Sequence, residues 1–98
     1  MKYRIIYLPI ADSDLVAIGD ALTEYPGKAK RLFREIERKI KLLEDLPYLW
    51  PEYPYKPEYR RMVLEDHLIF YTVDENEKCI KIYRVLYDRR NISKHFDL

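Results

Sequence analysis

Alternation of apolar and polar residues predicts three consecutive strands in the last part of the chain. Their predicted spans are Tyr59–Glu65, His67–Asp74 and Cys79–Tyr87. A tight connection at Asp66 joins the first two, and a loop over residues 75–78 joins the last two. Because connections this short join antiparallel neighbours, the three strands should form a meander.

The first half of the chain combines one strand with two helices. The segment Lys2–Leu8 is rich in Ile and Tyr and predicts a strand that ends at Pro9. A helix is expected next, capped by Asp12 or Ser13, because apolar residues recur at helical spacing. Its apolar positions are Leu15, Ile18, Leu22 and Tyr25. The apolar stripe of a second, longer helix is Ala29, Phe33, Ile36, Ile40 and Leu43.

The predicted order is β-α-α-β-β-β, within one domain over residues 1–98. The two helices should form an antiparallel hairpin, since the break between them is short. A hairpin needs a sheet face to bury its apolar stripe, so the fold class is α+β, with a twisted antiparallel sheet. The first strand is expected beside the last strand, where it would protect an edge.

An aromatic, proline-rich loop separates the second helix from the meander. It spans Leu46–Pro57, and its closely spaced prolines exclude both a helix and an inner strand. Its aromatic residues are Tyr48, Trp50, Tyr53 and Tyr55. They have two interpretations: a lid packed on the helix hairpin, or a surface that stacks on nucleic-acid bases or on a partner helix.

Positive charge is local in this chain, whose net charge is only +1. It concentrates at the two ends of the meander, on Lys56, Arg60, Arg61, Arg84, Arg89, Arg90 and Lys94. Clustered arginines repel one another and each head group needs a partner, so the cluster predicts a site for an anionic ligand. That ligand is either a nucleic acid or an acidic protein.

Cofactors, metals and membranes have no signature in the sequence. The chain has two histidines and one cysteine, Cys79, without zinc-ligand spacing, so no metal or other cofactor is expected. No stretch approaches the ~20 apolar residues of a membrane span. The first residues lack the cleavage site of a signal peptide. The expected location is therefore the cytoplasm.

Several segments, taken in their order along the chain, resemble sequences of the RelE/ParE superfamily, the toxins of bacterial type II toxin–antitoxin modules. They are the opening strand, DLVAI at 14–18, the pair Tyr59-Arg60, LIFYTVDENEK at 68–78 and IYRVLYDRR at 82–90. The resemblance covers nearly the whole chain. It implies a toxin with a cognate antitoxin protein as partner.

The resemblance leaves three activities open. Ribonuclease members enter the ribosome and cleave messenger RNA, and this endoribonuclease activity, without a metal, is the first expectation here. ParE-like members instead inhibit DNA gyrase without recognised catalytic residues. The third possibility is a degenerate toxin that retains only antitoxin binding.

The ribonuclease reaction needs a base, cations for the phosphorane charge and an acid. The resemblance assigns these roles to Arg61, Arg89, Arg90, His95 and Tyr87. It assigns RNA or partner binding to Arg60, Lys56, Arg84, Tyr53, Tyr55 and Trp50. The departure is Leu68, because ribonuclease members carry an arginine there and leucine cannot bind phosphate.

Some of these arginines also have a purely structural interpretation. Arg60 and Arg61 are adjacent on one strand, so only one of them can face a cleft. Arg84 is mid-strand, where a salt bridge to Glu58 or Glu65 is the alternative to ligand binding.

Overall fold

Two helices and five strands form the protein. The computed structural model describes residues 2–87. The helices are α1 (Pro9–Ala21) and α2 (Pro26–Leu42). The strands are β1 (Arg4–Tyr7), β2 (Glu52–Tyr53), β3 (Lys56–Leu64), β4 (His67–Asp74) and β5 (Cys79–Leu86). The α+β class and the predicted order are confirmed, with β2 as an additional short strand.

All five strands belong to one sheet, in the order β1-β5-β4-β3-β2. The meander of β3, β4 and β5 is antiparallel, as the short connections predict. The first strand does lie beside the last, but the two run parallel. The sheet is therefore mixed, since the chain crosses over through both helices before it returns to the sheet.

Both helices begin at a proline instead of at a polar cap. The helix α1 starts at Pro9, after Leu8, and no side chain caps it, so the expected cap at Asp12 or Ser13 is wrong. Proline is well suited to this first position, because its missing N–H would have no partner inside the helix. Pro26 begins α2 in the same way.

The loop after α2 contributes the edge strand β2. Glu52 pairs with Arg60 and Tyr53 with Lys56, across a register shift. An edge position agrees with the prolines around it, which exclude an inner strand but are compatible with an edge strand.

The core lies between the helix hairpin and one face of the sheet. Leu32, Ile36 and Ile40 of α2 pack there, together with Leu43 just after the helix, and all four are buried. The prediction included Phe33 in this stripe, but Phe33 is only partly buried. Its ring lies against Gly19 of α1, where an added Cβ would sit 3.5 Å from it. Phe33 thus packs the two helices together, and Leu32 takes its place on the sheet.

Neither helix in the described part of the chain is long and apolar enough to cross a lipid bilayer.

Candidate functional site

The second face of the sheet, opposite the helices, carries an apolar cluster. Tyr53, Leu68, Phe70 and Leu86 are buried there, and Tyr59 and Val63 pack against them. We call these six residues and Arg61 the second-face cluster. The sequence predicts a site for an anionic ligand, built from the basic residues at the two ends of the meander. The described part of this face is instead mainly aromatic and aliphatic at its centre.

Leu68 occupies the middle of this cluster. It pairs with Val63 on one side and with Leu86 on the other, and only 3% of its surface is exposed. Three aliphatic side chains therefore form a row across β3, β4 and β5. A phosphate placed on this row would lose its hydration without gaining a hydrogen bond, which is strongly unfavourable.

Arg61 brings a cation to the same face. Its guanidinium lies 5.4 Å from the centre of the Tyr53 ring, and its cross-strand partner is Phe70. A guanidinium in this position is attracted by the negative face of the ring. Arg61 is partly exposed, so it combines an aromatic support with access to a partner.

Arg60 points to the opposite face, as the alternation along a strand requires. Its Nη1 donates a hydrogen bond to the carbonyl oxygen of Trp50 at 2.7 Å, and its guanidinium lies 4.8 Å from the centre of the Tyr48 ring. A weaker ion pair joins its Nη2 to Glu52 at 3.8 Å. These contacts fix the aromatic loop, so Arg60 has a clear structural role.

Arg84 forms an ion pair with Asp14 of α1, so it does have a structural salt bridge, but the partner is neither Glu58 nor Glu65. Its Nε and Nη2 donate to the two carboxylate oxygens at 2.8 and 3.0 Å. The backbone N–H of Val85 donates to the same carboxylate at 2.9 Å. The strand β1 pairs only with the first half of β5 and has ended before Val85. The Asp14 carboxylate therefore accepts the hydrogen bond of the Val85 N–H at a point where β1 offers no carbonyl.

The remaining loop candidates have very different environments. Trp50 packs against the core, with the Lys39 ammonium 5.5 Å from its ring centre. Tyr53 is buried, with ring centres 5.0 Å from Phe70 and 5.4 Å from Tyr55. Tyr55 is 82% exposed, the one of these aromatic side chains most available to a partner.

Lys56 begins β3 and pairs with Tyr53 of β2. It is partly exposed and makes further contacts. It lies on the same strand as Arg61, five residues before it.

Tyr87, one residue beyond β5, lies beside the β3–β4 turn. Its ring meets the His67 ring edge-to-face at 5.2 Å, and 65% of its surface is exposed. His67 is buried, and this burial lowers the pKa of its imidazole. The other predicted catalytic residues, Arg89, Arg90 and His95, lie outside the described residues. The roles assigned to them stay predictions.

Sequence reasoning missed two of the polar centres that organise this structure. Asp14 gave no local signal, because its partner Arg84 is 70 residues away. Glu75, in the β4–β5 turn, accepts hydrogen bonds from Lys78, Tyr48 and Tyr3. These donors, Lys78 first, lower the pKa of Glu75 to about 2. Within residues 2–87, no group of three or more His, Cys, Asp and Glu side chains is arranged to hold a metal ion.

Comparison with known proteins gives the family. A sequence profile described as "ParE toxin of type II toxin-antitoxin system, parDE" matches residues 2–92. A search of curated protein sequences gives no significant match.

Two solved structures have a similar fold. A chain of the chromosomal ParDE toxin–antitoxin system from P. aeruginosa has a TM-score of 0.75 and 24% identity, covering 90% of this chain and 98% of that one. A chain of the RelBE2 toxin–antitoxin complex from Mycobacterium tuberculosis has a TM-score of 0.64 and 17% identity, covering 89% and 99%. The protein belongs to the ParE toxin family of type II toxin–antitoxin systems, within the RelE/ParE superfamily.

Proposed function

We propose that this toxin inhibits DNA gyrase by direct binding and does not cleave messenger RNA. The observation that carries the proposal is the apolar row formed by Val63, Leu68 and Leu86. Members of the superfamily that cleave RNA have a phosphate-binding arginine at the position of Leu68. Here that position is buried among aliphatic side chains.

RNA cleavage through the 2′-hydroxyl builds negative charge on a phosphorane, which must be stabilised by cations held in place beforehand. On the described part of the second face, Arg61 is supported by the Tyr53 ring and neighbours an apolar row. The partly exposed members of this face are Arg61, Tyr59 and Val63. They suit another protein as partner, since aromatic and arginine side chains dominate the binding energy of protein interfaces. The chemistry of the second-face cluster therefore favours binding over catalysis.

The same surface suggests how the toxin is neutralised. The two solved structures described above come from toxin–antitoxin systems, ParDE and RelBE2. We propose that this chain likewise has a small cognate antitoxin. The exposed ring of Tyr55 and the cation of Arg61 would anchor an acidic, amphipathic segment of it.

Inducing the chain alone in a bacterium that carries a reporter plasmid tests the proposal. Two readouts are taken from the same culture: the superhelical density of the plasmid, and the 5′ ends of messenger RNA mapped by primer extension. We expect relaxed plasmid topoisomers and unchanged 5′ ends. New 5′ ends with unchanged topology would contradict the proposal and support the ribonuclease expectation.

Single substitutions connect this phenotype to the second face. Arg61→Ala should weaken growth arrest, because it removes a partly exposed cation from the proposed interface. Arg34→Ala is the matched control, since it removes an exposed arginine from α2, which packs on the other face. Equal growth arrest by wild type, Arg61→Ala and Arg34→Ala would show that Arg61 is not part of the binding surface.

A further inference from the structure

A cavity of about 360 Å³ lies between the helix hairpin and the β3–β4 turn. Its apolar part is formed by residues of both helices, by the residue that follows α1 and by one tyrosine: Ile18, Ala21, Leu32, Leu22 and Tyr87. Pockets that bind small molecules range from about 300 to 1,000 Å³ and are mostly apolar, with a few polar groups that fix orientation. This cavity lies at the lower end of that range, which fits a ligand with a single small apolar body.

The rim of the cavity carries charges of both signs. Lys28 and Arg31 contribute cations from the first half of α2, and Glu65 and Asp66 contribute carboxylates from the β3–β4 turn. None of these four residues forms an ion pair within residues 2–87. The fifth charged residue of the lining, Glu35, is already held by Arg38 through two hydrogen bonds. The rim therefore offers a positive and a negative wall, each available to a ligand.

A buried polar side chain belongs to the same cavity. His67 contributes to the lining and is 5% exposed, and neither of its ring nitrogens has a hydrogen-bond partner among the described residues. Buried polar groups in native proteins are nearly always hydrogen-bonded. The Tyr87 ring packs edge-to-face against the His67 ring, and this contact is not a hydrogen bond.

We propose that this cavity binds a small zwitterion with an apolar body, the chemistry of a free amino acid with an apolar side chain. The apolar body occupies the space between Ile18 and Leu32. The carboxylate of the ligand faces Lys28 and Arg31, and its ammonium faces Glu65 and Asp66. This site is distinct from the second-face cluster, so it does not depend on the proposed action on gyrase.

Nuclear magnetic resonance of the purified full chain tests the site with three probes. L-phenylalanine has both charges, L-phenylalaninamide lacks the carboxylate, and N-acetyl-L-phenylalanine lacks the ammonium. We expect L-phenylalanine to shift the methyl resonances of Ile18 and Leu32 saturably at millimolar concentration. Each singly charged probe should bind about fivefold more weakly, the upper limit for one exposed charge pair.

Variants of the positive wall make the test specific. Lys28→Ala and Arg31→Ala change exposed side chains, so the fold should be retained. Each should weaken binding of L-phenylalanine while leaving binding of L-phenylalaninamide unchanged, because the amide has no carboxylate to pair. Arg34→Ala, whose side chain lies outside the lining, should leave all three affinities unchanged.

The proposal is overturned if L-phenylalanine causes no saturable shift of these methyl groups. It is also overturned if the three probes bind equally well, since the charged rim would then play no part. A cavity filled only by an antitoxin side chain would give the first of these results.

Discussion

Replacing Asp14 by alanine should strongly destabilise this protein, because one carboxylate accepts three hydrogen bonds. Two come from the Arg84 guanidinium and one from the backbone N–H of Val85, at 2.8 to 3.0 Å. The ion-paired side chains are only 14% and 13% exposed. Breaking a buried ion pair by removing one partner costs about 3–5 kcal/mol, and the remaining exposure favours the lower value, about 3 kcal/mol.

Urea unfolding followed by circular dichroism measures this loss in the full chain. Thermal unfolding gives a second readout: for a domain of this size, 1 kcal/mol corresponds to about 4–8 °C in melting temperature, so Asp14→Ala should lower Tm by about 12–24 °C. The control is Asp20→Ala, in the same helix, whose exposed carboxylate has no ion pair among the described residues. Its effect should stay within about 0.5 kcal/mol.

A double-mutant cycle with Arg84→Met separates the ion pair from the hydrogen bond to Val85. The coupling energy between Asp14 and Arg84 should be about 2 kcal/mol, within the range for residues in direct contact. A cost below about 1 kcal/mol for Asp14→Ala would refute the reasoning, since the pair would then behave like a solvent-screened surface pair.

Three further predictions concern single polar groups. Burial lowers the pKa of His67, so the folded state binds fewer protons than the unfolded state near this pKa. The contribution of His67 to the free energy of unfolding should be fully present above the unfolded-state pKa of about 6.5. It should be lost as the pH drops from there toward the folded-state pKa. Urea unfolding across this range checks it, and His67→Phe should flatten the dependence. Tyr71→Phe removes the buried hydroxyl that donates to the carbonyl of Pro47 and should cost about 1 kcal/mol in the same assay. The Glu75 carboxyl should titrate at about 2 in a carbon-detected NMR experiment, and Lys78→Ala should raise that value.

Much of the fold follows from local patterns in the sequence. The alternation over residues 59–87 predicts the meander, because each strand buries one face and short turns leave no other pairing. The direction of β1 does not follow, since a four-residue edge strand has the same pattern whether it runs parallel or antiparallel. The start of α1 at Pro9 was missed because proline also ends strands, and only the backbone shows which role it has.

The candidate site was less predictable, because it depends on contacts between distant segments. Alternation predicts that Arg60 and Arg61 face opposite sides, and they do. Nothing local shows that Arg84 pairs with a helix residue or that Tyr53 is buried on the second face. The departure at Leu68 was visible in the sequence. Its structural consequence, an aliphatic row across three strands, depends on the strand register that pairs Leu68 with Val63 and Leu86.

Inhibition of DNA supercoiling by purified gyrase is the most direct measurement of the proposed function. The full chain is titrated into the reaction alone, and then after incubation with an equimolar amount of its cognate antitoxin. We expect supercoiling to fall as the chain is added and to recover when the antitoxin is present. Full supercoiling activity at a large excess of correctly folded chain would contradict the proposal that this toxin acts on gyrase.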